Sequence, residues 1–353
     1  MINPRKKAQL HSVRQDVGGL SLIEIMISMV IGLFLVLGAT TLYVNSRKSA
    51  DVDDAVARLQ ESARYALSVI ETDVRMANYF GLLKSGSAMD NSVSNQVNNP
   101  SPLTGVLGAS AQACGAQFAY DVEHYVEGSD DAYGLGCAAN SGEVATADTL
   151  TIRRAATSVT AQDAGRIQAC VNRINGMVIT GTMTCPGTNE IHDLVVNTYY
   201  VDQQSDQSTS IPSLRRKQLG TICVGASCVP GFNDVEIIPG VEDMQIQFGW
   251  APQSTSTALP TSGAVIYLPA GNAGLAQQNS QIVSVRIWLL VRAESRDATF
   301  TDSRQYSYGT RTGTGTTNNL NDTSAKTSKY VPSDNFRRIL VSRTFFIRNV
   351  LAV

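Results

Sequence analysis

The longest uninterrupted apolar run in the chain covers residues 20–44, where only Glu24 is charged. At about 1.5 Å per residue, a helix over this run would be about 37 Å long, and a bilayer core is about 30 Å thick. The run therefore predicts a helix that can cross a membrane. A charged group inside such a helix costs roughly 2.5–3.5 kcal/mol, so Glu24 is a candidate functional residue.

A second helical pattern follows directly, because no glycine or proline occurs between Ala39 and Phe80. Apolar residues recur there at three- and four-residue steps, which is typical of a helix with one buried stripe. The stripe consists of Val52, Val56, Leu59, Ala63, Ala66, Ile70, Val74 and Ala77. The pattern predicts one continuous helix over 20–80, with Gly81 as its carboxy-terminal cap and a sheet covering the stripe.

Beyond residue 113 the pattern changes to short runs rich in β-branched and aromatic residues, which predict strands. The six runs are 149–154, 194–201, 241–250, 264–268, 282–292 and 338–350. Met244, Ile246 and Phe248 alternate with polar residues, so we expect a strand that is buried on one face only.

Two long polar segments interrupt these apolar patterns. Ser, Asn, Gly and Pro dominate 84–113, which predicts a surface excursion. The segment 295–335 is also polar and contains a low-complexity stretch at 313–319, so we expect a mobile loop that joins two strands of one sheet.

Composition indicates a folded, mildly acidic protein, since 43% of residues are apolar and 16% are charged. The first nineteen residues carry four basic side chains and one acidic one. Without them Lys+Arg falls from 28 to 24 and Asp+Glu from 30 to 29, which leaves a net charge of about −5. Basic residues before a membrane helix are typical of its cytoplasmic end. The length allows one anchor with one sizeable domain or two small ones.

All six cysteines follow the apolar run, and an even number outside the cytoplasm favours disulfides. Sequence alone leaves fifteen connectivities open. We favour pairing between neighbours, namely Cys114 with Cys137, Cys170 with Cys185, and Cys223 with Cys228. A zinc site is the alternative, but the cysteines have irregular spacings and no Cys-x-x-Cys occurs.

The apolar run opens with a motif, Gly19-Leu20-Ser21-Leu22-Ile23-Glu24. This motif resembles the prepilin cleavage and methylation motif of type IV pilins and type II secretion pseudopilins. The resemblance implies cleavage between Gly19 and Leu20 and N-methylation of Leu20. It also implies that Glu24 pairs with the new amine of a neighbouring copy and so sets subunit register.

Two simpler interpretations of the apolar run are an ordinary secretory signal and a plain membrane anchor. A secretory signal would be cut after its apolar region at a small-x-small site, and 37–39 offers only a poor one. A plain anchor needs neither Gly19 nor Glu24.

Further stretches narrow the resemblance to the PilW-type minor pilins of type IV pili. The second half of the predicted helix contains Leu59-Gln60-Glu61-Ser62-Ala63-Arg64 and then Asp73-Val74-Arg75-Met76-Ala77-Asn78-Tyr79-Phe80-Gly81. The stretches 283–293 and 336–350 are also similar to this family, whereas the cysteine-bearing middle carries no such likeness.

The resemblance implies an α+β fold of the type IV pilin kind. A long amino-terminal α-helix would pack on an antiparallel β-sheet with large disulfide-tied loop insertions. Four parts follow: a cleaved leader at 1–19, a transmembrane and filament-core helix at 20–44, the amphipathic half of the helix at 45–81, and a periplasmic head at 82–353.

The function implied is that of a structural minor pilin, not an enzyme, which primes type IV pilus assembly and sits in a tip complex. Its partners would be other minor pilins, the major pilin, a pilus tip adhesin, the prepilin peptidase and the inner-membrane assembly platform. It would cross the inner membrane once before assembly and belong to the extracellular pilus afterwards. The alternatives are a type II secretion pseudopilin of the J kind and a pilus-displayed adhesin or DNA-uptake subunit.

Residue chemistry favours neither an enzyme nor a cofactor or metal. Only His124 and His192 remain after leader removal, and no nucleophile-elbow or Walker motif accompanies them. Asp130 and Asp131 lack the ligand spacing of a calcium-binding EF-hand loop, so we interpret them as a polar turn. The basic clusters 153–154, 215–217 and 337–338 are interpreted as salt-bridged surface residues, because an acidic mature chain disfavours nucleic-acid binding.

Overall fold

The structure, a computed structural model, describes residues 19, 21–89, 114, 118–180, 183–225, 227–251, 265–272, 275 and 281–350. The chain divides into two compact units, Met1–Asp54 and Ala55–Val353. The first unit contains the beginning of the long helix α1. The second contains the end of α1 and the strands.

Helix α1 spans Leu22–Met76, a single helix of 55 residues, which confirms the predicted continuous helix. It ends four residues before Phe80, so the prediction that Gly81 caps it is wrong. Asn78 has a left-handed backbone with φ of 62°, and asparagine tolerates that region because its short polar side chain bonds locally. Its Oδ1 accepts a hydrogen bond from the Gly86 N–H at 3.3 Å.

In the first unit, the large apolar side chains of α1 up to Val44 are exposed, by 42% to 77%. A helix that is apolar all round is typical of a membrane span or of a core. Among the described residues, α1 alone is long and apolar enough to cross a membrane, by length and composition.

The described residues form thirteen strands, which belong to three sheets. They are β1 (Val126–Glu127), β2 (Leu150–Val159), β3 (Ile167–Val171), β4 (Gly176–Thr180), β5 (Glu190–Asp202), β6 (Ser213–Val224), β7 (Ser227–Pro239), β8 (Val241–Ala251), β9 (Ile266–Pro269), β10 (Gln281–Arg292), β11 (Thr316–Thr317), β12 (Lys329–Tyr330) and β13 (Arg338–Phe346).

Two antiparallel sheets replace the single sheet that we predicted. The larger has seven strands in the order β1-β2-β5-β3-β4, and β5 also pairs with β6, which pairs with β7. The smaller has the order β13-β10-β8-β9. Strands β11 and β12 form a short parallel pair. An α+β fold with a long amino-terminal helix and antiparallel sheets is therefore confirmed.

The six predicted strand runs correspond to β2, β5, β8, β9, β10 and β13, although residue 264 lies outside the described residues. Seven strands were not predicted, namely β1, β3, β4, β6, β7, β11 and β12. The hairpin of β6 and β7 was missed because its charged residues suppress the apolar signal. Those charges pair across the hairpin instead, as between Arg215 and Asp234 at 2.6 Å.

The buried stripe of α1 packs on the sheets in the second unit. Leu59, Ala63, Ala66, Ile70 and Val74 belong to the main hydrophobic core together with apolar residues of β8 and β10. A second core lies around Phe80 and the inner residues of β3 and β5. The prediction that a sheet covers this stripe is confirmed.

The segment 295–335 packs onto the protein, so the prediction of a mobile loop is wrong. Tyr306, Tyr308 and Tyr330 are buried in the main core. The Arg311 guanidinium is fully buried and donates from Nε to Asp243 of β8 at 2.6 Å. This segment does join β10 and β13 within one sheet, as predicted.

Strand β8 is buried on both faces, which corrects the prediction of a half-buried strand. Its polar residues Asp243 and Gln245 have no exposed surface. Tyr308 donates to Asp243 at 2.6 Å and Thr310 donates to Gln245 at 2.6 Å. The polar face of β8 is therefore covered by hydrogen-bonding side chains of the segment 295–335.

Three disulfides tie the head, between Cys114 and Cys137, Cys170 and Cys185, and Cys223 and Cys228. The first closes a loop that includes residues outside the described part. Most of the predicted surface excursion 84–113 also lies outside the described residues, which end there at residue 89 and resume at Cys114.

The Cys223–Cys228 disulfide is expected to be the first that a reductant opens under native conditions. Both cysteines are exposed at the end of the β6–β7 hairpin, whereas Cys114, Cys137 and Cys170 are at least 96% buried. Thiol–disulfide exchange requires that a thiolate reach the sulfur. Stepwise reduction with dithiothreitol, alkylation and peptide mass mapping measures the order. Cys185 is half-buried, so the Cys170–Cys185 disulfide should open second. Earlier labelling of either of the other two pairs would contradict this prediction.

Candidate assembly site

The start of α1 places Glu24 in the first turn of the helix. Ser21 precedes the helix, and its carbonyl accepts hydrogen bonds from the Glu24 N–H at 2.9 Å and the Ile25 N–H at 3.2 Å. Ser21 and Glu24 thus have the spacing of a capping box. Leu20 and residues 1–18 lie outside the described residues, so cleavage and methylation there stay predictions.

The Glu24 side chain is exposed, and no described residue forms an ion pair with it. The Ser28 hydroxyl donates to the backbone carbonyl of Glu24 at 2.7 Å and not to its carboxylate. A carboxylate at a helix amino terminus gains about 0.3–1 kcal/mol from the helix dipole. That gain is smaller than the roughly 2.5–3.5 kcal/mol cost of a charge in a membrane helix. The geometry is suited to a cationic partner from outside the chain.

The end of α1 is fixed to the larger sheet through Asp73, which is 4% exposed. Its Oδ2 accepts hydrogen bonds from Asn197 Nδ2 at 2.6 Å and the Tyr199 hydroxyl at 2.7 Å, and both residues lie on β5. Its Oδ1 accepts from Arg154 Nη2 of β2 at 2.9 Å. Burial and the Asp73 carboxylate raise the pKa of Tyr199, so its hydroxyl remains a donor.

The carboxy-terminal residues also contact the end of α1. Asn349 Nδ2 donates to the carbonyls of Met76 at 3.4 Å and Ala77 at 3.1 Å. Helix ends leave carbonyls without partners in the helix, and Asn349 bonds to the last carbonyl of α1 and to the one that follows it. Arg343 of β13 forms an ion pair with Glu71 of α1 at 3.1 Å. The stretch 336–350 therefore holds the helix end.

Gly81 has a packing role rather than the predicted capping role. It has φ of 61°, and a Cβ atom there would lie 2.6 Å from Nε2 of His192. His192 is 2% exposed, and its Nδ1 lies 2.9 Å from the Ala156 carbonyl. This close approach requires glycine at position 81. Its burial and its contact with the Ala156 carbonyl indicate that His192 has a structural role.

The other candidate residues for chemistry are His124 and the adjacent pair Asp130 and Asp131. His124 Nδ1 is 2.9 Å from Asp121, and this hydrogen bond raises the pKa of His124. Asp131 has a left-handed backbone, and its N–H donates to Asp148 at 2.8 Å. Among the described residues, no group of three His, Cys, Asp or Glu side chains has a geometry that could hold a metal ion.

The three basic clusters are salt-bridged, as predicted, but one arginine in each is buried. The prediction that these clusters lie on the surface is therefore wrong for Arg153, Arg215 and Arg338. Arg153 pairs with Glu127 at 2.6 Å, and Arg338 pairs with Glu242 at 2.6 Å. Arg215 pairs with Asp234 and is 3% exposed. Guanidinium groups that are engaged inside the protein offer little to a nucleic-acid backbone.

Asp73 and Asn349 were not assigned a role from sequence. A signal for Asp73 was present, because this carboxylate lies beside Val74 on the face that Ile70 and Ala77 bury. A buried carboxylate requires hydrogen-bond or ion partners, so its position predicts a partner on the sheet. Asn349 carries no comparable signal.

Comparison with known proteins gives two family matches. Residues 14–40 match the prokaryotic N-terminal methylation motif. Residues 198–349, from β5 to the end of the described chain, match the family described as type IV pilus-assembly protein W, or PilW. No curated protein matches the chain.

One similar solved structure is a type IV-like pilin from Thermus thermophilus. It is 13% identical, the alignment covers 58% of this chain and 79% of that one, and the TM-score is 0.27. At these values the likeness adds nothing to the assignment, which relies on the two family matches and the motifs.

The methylation motif at the start of an exposed apolar helix, followed by a sheet-bearing head, defines the class of type IV pilins. Within that class, the match over residues 198–349 supports a PilW-type minor pilin. Proteins of this family are structural components that interact with other pilus subunits. The motif and the apolar helix fit a membrane-anchored pilin that is later displayed on a pilus.

Proposed function

We propose that this protein is a non-enzymatic minor pilin that primes type IV pilus assembly and takes a place in the tip complex. Leader removal after Gly19 and methylation of Leu20 would prepare it for assembly. Its neighbours would be other minor pilins, the major pilin and a tip adhesin. The prepilin peptidase and the inner-membrane platform would act on it earlier.

The proposed parts of the chain follow from this scheme. Residues 1–19 would be the leader, 20–44 the membrane and filament-core helix, 45–81 the amphipathic half, and 82–353 the head. Before assembly the protein would cross the inner membrane once with its head in the periplasm. The match to a pilus-assembly family supports the pilus over a type II secretion pseudopilus.

The observation that carries the proposal is the carboxylate of Glu24 in the first turn of a helix whose apolar side chains are exposed. Moving such a helix from lipid into a bundle of helices gains little from hydrophobicity, so close packing and polar pairing decide the association. The amine of a processed neighbour would neutralise Glu24. An unpaired charge in the bundle would be costly, so this pair would fix the register.

Glu24→Ala should leave the protein processed and in the membrane but lower its amount in sheared pili by about tenfold or more, since about 1.4 kcal/mol of lost pairing has that effect. Glu24→Gln should lower the amount in sheared pili similarly, because it removes the charge and keeps the size. Ser28→Ala, one turn later, is the matched control. Immunoblots of membranes and sheared pili provide the measurement.

A Gly19→Val variant supplies the reference for the unprocessed protein, because it should retain the leader and migrate more slowly on a gel. Wild-type amounts of Glu24→Ala in pili, with normal piliation, would refute the register role. Normal processing of Gly19→Val would refute the cleavage site.

A further inference from the structure

A polar cleft of about 240 Å³ lies on the head beside the asparagine-rich end of the low-complexity stretch. Gln203, just after β5, lines one side, and Asn318, Asn319 and Asn321 line another. The chain segments that meet there are far apart in sequence. The cleft is smaller than the roughly 300–1,000 Å³ sites that take drug-sized ligands.

The asparagine-rich wall of the cleft is held in a defined conformation. The Ala145 N–H donates to Asn321 Oδ1 at 3.1 Å, and the Asn321 N–H donates to Asn319 Oδ1 at 3.0 Å. The Thr146 hydroxyl donates to the carbonyl of Leu320, a residue that is 9% exposed. These bonds use the side-chain oxygens of Asn319 and Asn321. Among the described residues, their NH₂ groups have no acceptor.

The charged residues of the cleft neutralise each other. Glu242 accepts hydrogen bonds from Arg292 at 3.2 Å and from Arg338 at 2.9 Å. Arg292 also donates from Nη2 to the Ser210 carbonyl at 2.7 Å, while its buried Nε has no hydrogen-bond partner among the described residues. The wall therefore carries paired charges and donors with unused capacity. An ionic ligand would find no unpaired opposite charge among these residues.

We propose that this cleft binds one unit of a neutral saccharide. Carboxamides donate and accept hydrogen bonds, and a sugar hydroxyl does both as well, so the two groups are complementary. The side chains of Asn319 and Asn321 are already held by the loop hydrogen bonds, which lowers the entropy cost of binding. Val144 and Leu320 also line the cleft, but they are only 5% and 9% exposed, so the apolar surface available to the C–H groups of a sugar ring is small. This inference depends only on the head and holds whether or not Glu24 sets register.

The test uses the full-length protein in a detergent without a sugar headgroup, because alkyl glycosides would compete for the cleft. The probes are glucose, galactose, mannose, N-acetylglucosamine and N-acetylgalactosamine, each added singly. Saturation-transfer difference NMR reports which sugar contacts the protein, and titration gives its affinity. We expect saturation transfer to at least one of the five.

Two variants test the cleft itself. Asn319→Asp with Asn321→Asp keeps the side-chain oxygens that hold the loop and removes the free NH₂ groups. Asn318→Ala removes a carboxamide that bonds to no described residue. Each should weaken the affinity for the bound sugar by about fivefold or more, as expected for lost hydrogen bonds. Asn233→Asp on β7, an exposed amide outside the cleft, is the control and should bind as wild type does.

Failure of all five sugars to receive saturation overturns the proposal. Unchanged affinity in both cleft variants overturns it too, because the sugar would then bind elsewhere. An equal loss in Asn233→Asp also counts against the cleft, since the effect would not be local. Far-UV circular dichroism of each variant, compared with wild type, distinguishes a binding defect from misfolding.

Discussion

Replacing Asp73 with alanine is expected to destabilise the head by about 3–5 kcal/mol. Loss of one partner from a buried ion pair has this magnitude because the other partner is left uncompensated. Here the substitution leaves Arg154, Tyr199 and Asn197 without their shared acceptor. Thermal or urea unfolding of the full-length protein in detergent, monitored by circular dichroism, measures the loss.

Glu71→Ala is the matched control, two residues earlier on the same helix. Glu71 pairs with Arg75 at 3.0 Å and with Arg343 at 3.1 Å, and both arginine side chains are about half exposed. Exposed pairs of this kind contribute about 0–1 kcal/mol. Asp73→Asn should lie between the two, since it keeps one acceptor oxygen and loses the charge. Equal stability of Asp73→Ala and Glu71→Ala would refute the anchoring role.

The long helix and half of the strands were predictable from sequence because their signals are local. An apolar run of 25 residues and a stripe at three- and four-residue steps specify α1 without reference to the rest of the chain. The runs that became β8 and β10 are dense in β-branched and aromatic residues. The helix end was misplaced because Asn78, rather than the more common glycine, takes the left-handed position.

The remaining elements depend on contacts that a sequence pattern does not reveal. Arg311 and Asp243 are 68 residues apart, and neither residue alone indicates in the sequence that its partner exists. The same holds for Arg215 with Asp234 in the β6–β7 hairpin. A rule that assigns charged residues to the surface therefore predicts a mobile loop at 295–335 and a surface cluster at 215–217, where the structure buries Arg311 and Arg215. A buried charged residue can be predicted from sequence only when its partner is known.

The residues of the candidate assembly site also fall into a group that was predictable from sequence and a group that was not. Gly19, Leu20 and Glu24 were found because processing enzymes and neighbouring subunits require a local motif. Asp73 and Asn349 were overlooked as anchors because their partners are 81 to 273 residues away. The first group is the part of the molecule presented to other proteins, and the second is the part that holds the helix in place.

Replacing Asp131 with asparagine is expected to stabilise the head by at most about 2 kcal/mol at pH 7.5, because a pKa difference of one between the folded and unfolded states corresponds to about 1.4 kcal/mol and solvent screens part of it. The gain should vanish as the pH falls towards 4. Burial raises the pKa of Asp131 to about 6, and the carboxylates of Asp130 and Asp243 add to this effect, against the opposing Arg311. The folded state therefore binds this proton more tightly than the unfolded state, whose aspartates titrate near their usual pKa of about 3.9. Wild-type stability from this group is greatest at low pH, declines between about pH 4 and 6, and stays reduced above that.

Asparagine removes the charge, keeps the size, and tolerates the left-handed backbone of Asp131, with φ of 48°. The Asp131→Asn gain over wild type should therefore appear as the pH rises through 4 to 6. Asp322→Asn is the control of opposite sign, because hydrogen bonds from Ser324 lower the pKa of that exposed carboxyl. It should never stabilise the protein above pH 4. Urea unfolding at pH 4, 5, 6 and 7.5 measures both variants, and a pH-independent difference for Asp131→Asn would show that the buried carboxylate does not titrate in this range.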